Sequence, residues 1–410
     1  MSNLFNLINL EEVEEIFSSK VGACLGTERI SITEAKGRIL SQDFISPFDL
    51  PPFTRATMDG YAVKAADTFA ASEGNKVYLG LVGEVLMGEE ATEGLESGQA
   101  IRISTGGMLP QGADAVLMVE YTEKLGSELV EINRAVGSGE NIVRKGEDIS
   151  QGETLLKKGS QLRPQDLGAL AGLGITEVEV YKRPRVTVFA TGDEIINPEQ
   201  RPQPGEIRDI NSYAVISALE GIAKMSQGGI IKDSKEELEA KLRVATENSD
   251  VVVLSGGSSV GTKDLTLEVV DNLGEPGVLV HGIAIKPGKP TVLAIVDDTV
   301  VIGLPGHPTS ALTVCKIVVQ PIVERLAGLQ DDLGQQNYLT ASLSRNLASV
   351  KGREEYIRVK LEKEADSIIA VPILGKSSLA TTMVEADGVI KIGIGKEGLE
   401  KGAEVQVLLF

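Results

Sequence analysis

Val251-Val252-Val253-Leu254-Ser255-Gly256-Gly257-Ser258-Ser259-Val260-Gly261 is an apolar run that gives way to a glycine and serine loop, with Lys263 and Asp264 just beyond it. An unbroken apolar run of this length suits a strand buried on both faces, as parallel strands covered by helices are. A Gly/Ser loop between such a strand and a helix exposes backbone N–H groups and hydroxyls, so an anion can sit at the positive end of the helix. The same residues also serve as a plain turn whose glycines take positive φ, and composition does not separate the two readings. The Walker Lys-Ser/Thr ending and the GxGxxG spacing are both missing, so neither a P-loop nor a dinucleotide fingerprint is present.

Working outward, Arg185 to Ala190 is a second apolar run and ends in Thr191-Gly192-Asp193-Glu194. Helical stretches are expected at Tyr213 to Ala223 and Lys235 to Ala245. Strand and helix alternating in this way predict an α/β domain over residues 181–327, whose ligands collect at the carboxyl edge of the sheet. Asp193 and Glu194 read as turn or capping residues, or, with Asp264, as hard oxygen donors for Mg²⁺. Lys286-Pro287-Gly288-Lys289-Pro290 is a stiff turn between two cations; these are solvated surface lysines or the local positive field that an oxyanion needs. The run Thr299 to Ile302 leads into Gly303-Leu304-Pro305-Gly306-His307-Pro308-Thr309-Ser310, in which His307, between prolines, reads as structural rather than catalytic.

The flanks have a different texture. Val13, Ile16 and Phe17 recur at helical spacing within Leu10 to Val21, and a second helix is expected around Thr33 to Leu40. Short β-rich runs, among them Lys76 to Val85 and Ala113 to Glu120, mark an inserted β domain over residues 47–146. Arg163 to Gly174 reads as a helix with a glycine stop. The expected fold class is multidomain α/β and β. A three-layer α/β domain over residues 181–327 is joined by the inserted β domain, a discontinuous platform from 1–46 and 147–180, and a β-barrel-like domain over 328–410. In the last, Tyr356 to Leu361, Ile368 to Pro372 and Glu404 to Leu409 are strand candidates.

Composition narrows the function. The 59 Asp+Glu against 40 Lys+Arg give a formal charge of −19, which repels a phosphate backbone at long range and excludes nucleic acid as the expected partner. Cys24 and Cys315 are the only cysteines and lie far apart, so neither a disulfide framework nor a zinc site is encoded. The acidic start, with Glu11, Glu12, Glu14 and Glu15, lacks the features of a signal peptide, and no apolar stretch is long enough to span a bilayer. A cytoplasmic protein without a membrane partner is expected.

Several of these segments recur in one family. PPFTRATMDGYAV (51–63), IRISTGGMLPQGADAVLMVE (101–120), NIVRKGEDI (141–149), ATGDEI (190–195), SGGSSVGTKD (255–264), KPGKP (286–290), GLPGHPTS (303–310) and GREEYIRV (352–359) span almost the whole chain. In this order they resemble the molybdopterin molybdenumtransferase family, which includes the E domain of gephyrin. The resemblance implies a transferase that inserts molybdate or tungstate into adenylylated molybdopterin, with Mg²⁺ as cofactor and release of AMP. It implies a homodimer whose inserted domain closes the partner's α/β cleft, placing Asp59 and Thr105 there in trans. Other cofactor-biosynthesis proteins are the further partners it suggests.

Carried over motif by motif, the resemblance gives catalytic roles to Asp59, Glu194, Asp264, Lys286 and Lys289, with Glu194 and Asp264 on the metal. Asp148, Thr191, Gly192 and Asp193 join the substrate site. Ser255, Gly256, Gly257 and Ser258 take the phosphate or nucleotide. Pro305, Ser310, Arg353 and one of Ser377 or Ser378 face the oxyanion. The chain departs from the family pattern at Ala56 and Thr57, at His307 where Asn is usual, and at Glu385-Ala386-Asp387-Gly388. Two other classes compete: a scaffold, as gephyrin also is, and a nucleotide hydrolase sharing only the α/β domain.

Overall fold

The long apolar runs assemble into a six-stranded sheet in the order Lys224–Ile231, Arg185–Thr191, Val251–Gly256, Thr299–Leu304, Val292–Val296, Pro276–His281. The first four strands are parallel, and Val292–Val296 runs antiparallel to its neighbours on both sides, Thr299–Leu304 and Pro276–His281. The structure, a computed structural model, describes residues 7–21, 24–256, 260–329, 338–364 and 367–410, with the side chains of 260–264 outside the description. Alternate residues of each strand serve opposite faces, as the two-residue period requires. Val186, Val188, Val251, Val253, Val300 and Ile302 enter one core, whereas Phe189, Val252, Leu254 and Val301 enter the other. Burying each such side chain contributes about 1.5–3 kcal/mol, which is why both faces need helices.

Helix Lys235–Asn248 covers the second face through Leu238, Leu242 and Ala245, and starts at Ser234, whose hydroxyl accepts from the N–H of Glu237. Helix Val260–Leu273 lies beside it through Val269 and Val270. Helix Asn211–Leu219 and the segment from Pro308 to Leu326 cover the first face. That segment widens into a π turn at Cys315–Val319, just before Pro321, whose ring cannot donate to the preceding turn. Connections therefore leave Arg185–Thr191 and Val251–Gly256 toward opposite faces, which opens a crevice between their carboxyl ends.

The amino-terminal helix Leu10–Lys20 has an Asn9–Glu12 capping box and sends Val13 and Phe17 into the core of the α/β domain. The platform joins two distant segments: Thr27–Ser31 pairs with Glu177–Tyr181, and Phe44–Ile45 with Thr154–Leu156, over a core of Leu40, Leu162, Leu170 and Val180. The helix expected at Thr33 to Leu40 is reduced to a 3-10 turn, Ile32–Glu34, because the chain from Gly37 to Leu40 bonds instead to residues 160–162.

The inserted segment is a curled six-stranded sheet running Ala115–Met118, Gly60–Val63, Gln99–Ile103, Val77–Val85, Leu129–Ile132, Thr122–Leu125. At the carboxyl end, Glu354–Glu364, Ser367–Pro372, Tyr338–Leu343, Glu404–Leu409 and Gly388–Ile392 close a five-stranded barrel when the last pairs back with the first. Asp387 holds that closure. Its carboxylate accepts from the N–H of Leu361 at 2.6 Å and its own N–H donates to the carbonyl of Val359 at 2.9 Å, which gives the departure at 385–388 a structural role. Among the described residues no helix is long and apolar enough to cross a membrane.

Candidate active site

Strand pairing brings the chemical segments to one sheet edge. Thr191 pairs with Gly256 and with Ile231, Ala190 with Ser255, and Ser255 with Leu304. Thr191-Gly192-Asp193-Glu194, the start of the Ser255 loop and Pro305 therefore leave adjacent strands side by side. Gly192 has φ 143°, and a Cβ there would lie 2.6 Å from Oε2 of Glu194, so this position must be glycine for the carboxylate to fold over the loop. Lys232 fixes the same loop from the next strand, donating to the carbonyls of Asp193 at 2.8 Å and Ile195 at 3.1 Å.

The hydroxyl of Ser255 is buried and has no partner among the described residues. Gly257 and Ser258, the rest of the phosphate loop read from the sequence, lie outside the described residues, as does the side chain of Asp264. Asn211 was missed in the sequence. Its amide donates to the carbonyl of Gly306 at 2.9 Å, while its Oδ1 is buried without a partner among the described residues.

Asp233 is a second residue that sequence reasoning missed. Its N–H donates to Oδ1 of Asp193 at 3.1 Å, and burial, with the charges of Asp193 and Glu194 close by, pushes its carboxyl above the usual range. Three carboxylates crowded at one edge form the kind of environment that a divalent cation relieves. No group of three or more His, Cys, Asp or Glu among the described residues has metal-holding geometry, so the fit is to an ion taking one or two carboxylates and completing its shell with substrate oxygens, as Mg²⁺ does.

The cationic end lies where the α/β domain meets the barrel. Ile285–Lys286 pairs in parallel with Glu354 and Glu355, so the Lys-Pro-Gly-Lys-Pro turn is fastened to the barrel strand. Nζ of Lys286 lies 2.6 Å from Oε1 of the buried Glu355, whose other oxygen accepts from Ser349 at 2.8 Å. Lys286 is thus charge-compensated within the subunit. Gly288, at φ 112°, lies so close to Val314 that a Cβ would come within 2.4 Å of Cγ2. Gly288→Ala is expected to destabilise the protein by about 2–4 kcal/mol through backbone strain and overpacking, read as a lower urea midpoint at unchanged slope.

Two arginines add to the cationic side chains at this end. Arg353 and Arg358 each have a buried Nε without a partner among the described residues. Arg358, missed in the sequence, is buried and makes no ion pair with a carboxylate among the described residues; its Nη2 reaches the carbonyl of Gly375 at 3.4 Å, and burial lowers its pKa. An uncompensated buried guanidinium is costly and asks for an anion. Gly375 begins the loop carrying Ser377 and Ser378, and the carbonyl of Ser377 accepts from Oγ1 of Thr309 at 3.0 Å. Ser310 is buried next to it on helix Pro308–Val314.

Two sequence-derived site groups lie elsewhere in the subunit. On the inserted sheet, Oδ1 of Asp59 accepts from the N–H of Thr105 at 2.6 Å and from its hydroxyl at 2.9 Å, bonds that hold the Asp59 carboxyl below the usual range. Asp148 is exposed on a groove with Leu50, Thr154, Ala169 and Leu173, next to the platform helix.

A sheet edge with carboxylates after its parallel strands, fastened to a barrel that carries unpaired guanidinium nitrogens, is the layout of a multidomain α/β enzyme. Three family models match in succession: the MoeA N-terminal region, domains I and II, over residues 8–174, a probable molybdopterin-binding domain over 187–325, and the MoeA C-terminal region, domain IV, over 340–410. The chain is 36% identical to a putative molybdopterin biosynthesis protein of Methanocaldococcus jannaschii, with all of both chains covered. It is 32% identical to a Bacillus subtilis molybdopterin molybdenumtransferase, covering 93% of this chain and 90% of that one. A solved molybdopterin biosynthesis MoeA structure from Pyrococcus horikoshii superposes with a TM-score of 0.83 at 40% identity, covering 98% of this chain and 99% of the other. The chain therefore belongs to the MoeA family and is a transferase of molybdenum cofactor biosynthesis.

Proposed function

We propose that the chain inserts molybdate or tungstate into adenylylated molybdopterin and releases AMP, acting as a homodimer in the cytoplasm. The observation that carries this reading is the pairing of Ile285–Lys286 with the Glu354–Glu355 strand. It joins a sheet edge suited to a nucleotide phosphate to a barrel on which Arg353 and the buried Arg358 each hold a buried Nε without a partner among the described residues. Ser255, Gly256, Gly257 and Ser258 hold the phosphate with Thr191 and Gly192. Glu194 and Asp264 hold Mg²⁺, with Asp193 and Asp233 adjacent. When bound, the ion supplies charge neutralisation at the phosphate oxygens.

The protein's own work is binding and orientation. Lys289, Arg353, Arg358, Ser310 and the Ser377–Ser378 loop present donors to the oxyanion, and Pro305 shapes the wall between the two ends. Cleavage of the adenylate needs positioning and charge stabilisation more than covalent help. Asp59 and Thr105 complete the cleft from the partner subunit, and Asp148 joins the substrate site.

The test is AMP release from adenylylated molybdopterin with and without molybdate, tungstate and Mg²⁺, with metal analysis of the pterin product. No oxyanion-dependent AMP release would reject the reading. Within the same assay the Lys286→Ala/Lys289→Ala double variant is expected to raise the molybdate concentration for half-maximal rate by about tenfold, as loss of charge-assisted contacts would. Lys286→Ala alone is expected to cost on the order of 1 kcal/mol of stability, a modest figure because the ammonium is half exposed. Unchanged molybdate dependence in the double variant would make both ordinary surface lysines.

A further inference from the structure

His307 stands where the family pattern has Asn, and its ring bridges two domains: Nδ1 lies 2.9 Å from the hydroxyl of Ser377, across the seam between the α/β domain and the barrel. Ser377 is held a second time through its carbonyl, which accepts from Oγ1 of Thr309 at 3.0 Å and from the N–H of Thr309 at 3.3 Å. The loop beneath is itself anchored. Asn211 holds the carbonyl of Gly306, and Thr309 is fully buried with its carbonyl accepting from Thr313. The α/β domain thus holds both the hydroxyl and the carbonyl of one serine on an otherwise exposed barrel loop.

We infer that His307 is a positioning residue that orients the hydroxyl of Ser377 toward the oxyanion. The inference rests on the assignment of this end of the cleft to molybdate. A serine hydroxyl carries one proton and two lone pairs. If Nδ1–H of His307 donates to Oγ, the serine proton stays available for an anion. If Nδ1 accepted instead, that proton would be consumed. The inference takes the first arrangement, which leaves the hydroxyl proton for an anion on the loop whose Gly375 carbonyl accepts from Arg358. Asparagine fits the same role. Its terminal amide nitrogen lies two bonds from Cβ, as Nδ1 of histidine does, so either residue can place an N–H against the same oxygen. The bridge assigns the oxyanion contact to Ser377, leaving Ser378 exposed beside it.

The experiment compares wild type, His307→Ala, His307→Asn, Ser377→Ala and the His307→Ala/Ser377→Ala double variant. Molybdate-dependent AMP release and amide hydrogen exchange over residues 373–380 are both measured. His307→Ala is expected to raise the KM for molybdate on the order of tenfold, with kcat and the KM for the adenylylated pterin within about twofold, and to speed exchange in the loop. His307→Asn should restore both readouts. Ser377→Ala should match His307→Ala on molybdate, and the double variant should be no worse than either single one. Unchanged molybdate KM in folded His307→Ala, or no rescue by Asn, would overturn the inference. If wild type itself shows no molybdate-dependent release, the functional reading fails. The bridge is then judged on exchange alone, and unchanged exchange in His307→Ala would overturn it too.

Discussion

Glu194→Gln is expected to slow AMP release by on the order of a hundredfold to a thousandfold while leaving the fold and the urea midpoint unchanged. The substitution keeps the shape that Gly192 accommodates and removes only the charge. Glu194 sits at the carboxyl edge of Arg185–Thr191, on a loop that Lys232 holds by two carbonyls, so the neutral amide will occupy nearly the same place. The motive is the position of Glu194 at the sheet edge beside Asp193 and Asp233, where burial and the charges of Asp193 and Glu194 raise the Asp233 carboxyl and where one or two carboxylates could hold a divalent ion. Raising the Mg²⁺ concentration should recover part of the lost rate, because a weakened site is filled by mass action. Asp264→Asn should behave alike. Near-normal release by Glu194→Gln at limiting Mg²⁺ would remove Glu194 from the metal.

What could be read in advance follows from which interactions are local. The strands Arg185–Thr191 and Val251–Gly256 were legible because burial on both faces leaves a continuous apolar run, and the loops after them because glycine at a strand end has few other uses. The neighbouring strand Lys224–Ile231 was not. It lies at the sheet edge, half exposed, and its Gln227-Gly228-Gly229 reads as a turn. The strands of the barrel were visible by pattern, but its closure depends on Gly388–Ile392 meeting Glu354–Glu364, a non-local pairing that no short window contains.

The same division holds for the site. Asp233 precedes Ser234, the cap of helix Lys235–Asn248, and in sequence looks like part of a helix start; only parallel pairing puts it against Asp193. Arg358 looks like an alternating polar residue of a half-buried strand, and its burial comes from packing of the barrel against the α/β domain, through Tyr356 and Leu408. The pairing of Lys286 with Glu355 was hidden for the same reason. Asp59 and Thr105 were legible as a pair only through family resemblance, and their hydrogen bonds now give that pairing a geometry.

Mixing Asp59→Ala with Glu194→Gln subunits should restore activity to roughly a quarter of wild type, although neither homodimer turns over appreciably. Asp59 lies on the inserted sheet and Glu194 at the edge of the α/β sheet, two units with separate cores, so joining them in one cleft is a demand on assembly. In a closed two-fold dimer with clefts shared between subunits, a heterodimer has one cleft carrying both lesions and one carrying neither. Statistical exchange makes about half of the molecules heterodimers, and half of their clefts are intact, which gives the quarter. If both residues instead served a cleft within one subunit, every cleft would carry one lesion and mixing would recover nothing. The preorganised Asp59 carboxylate sharpens the contrast, because removing it also frees the N–H of Thr105 and leaves little residual catalysis to blur the result. Native mass measurement must first show that subunits have exchanged. With exchange shown and activity still absent, the shared cleft is rejected, while the assignments of Glu194 and His307 within one subunit stand on their own tests.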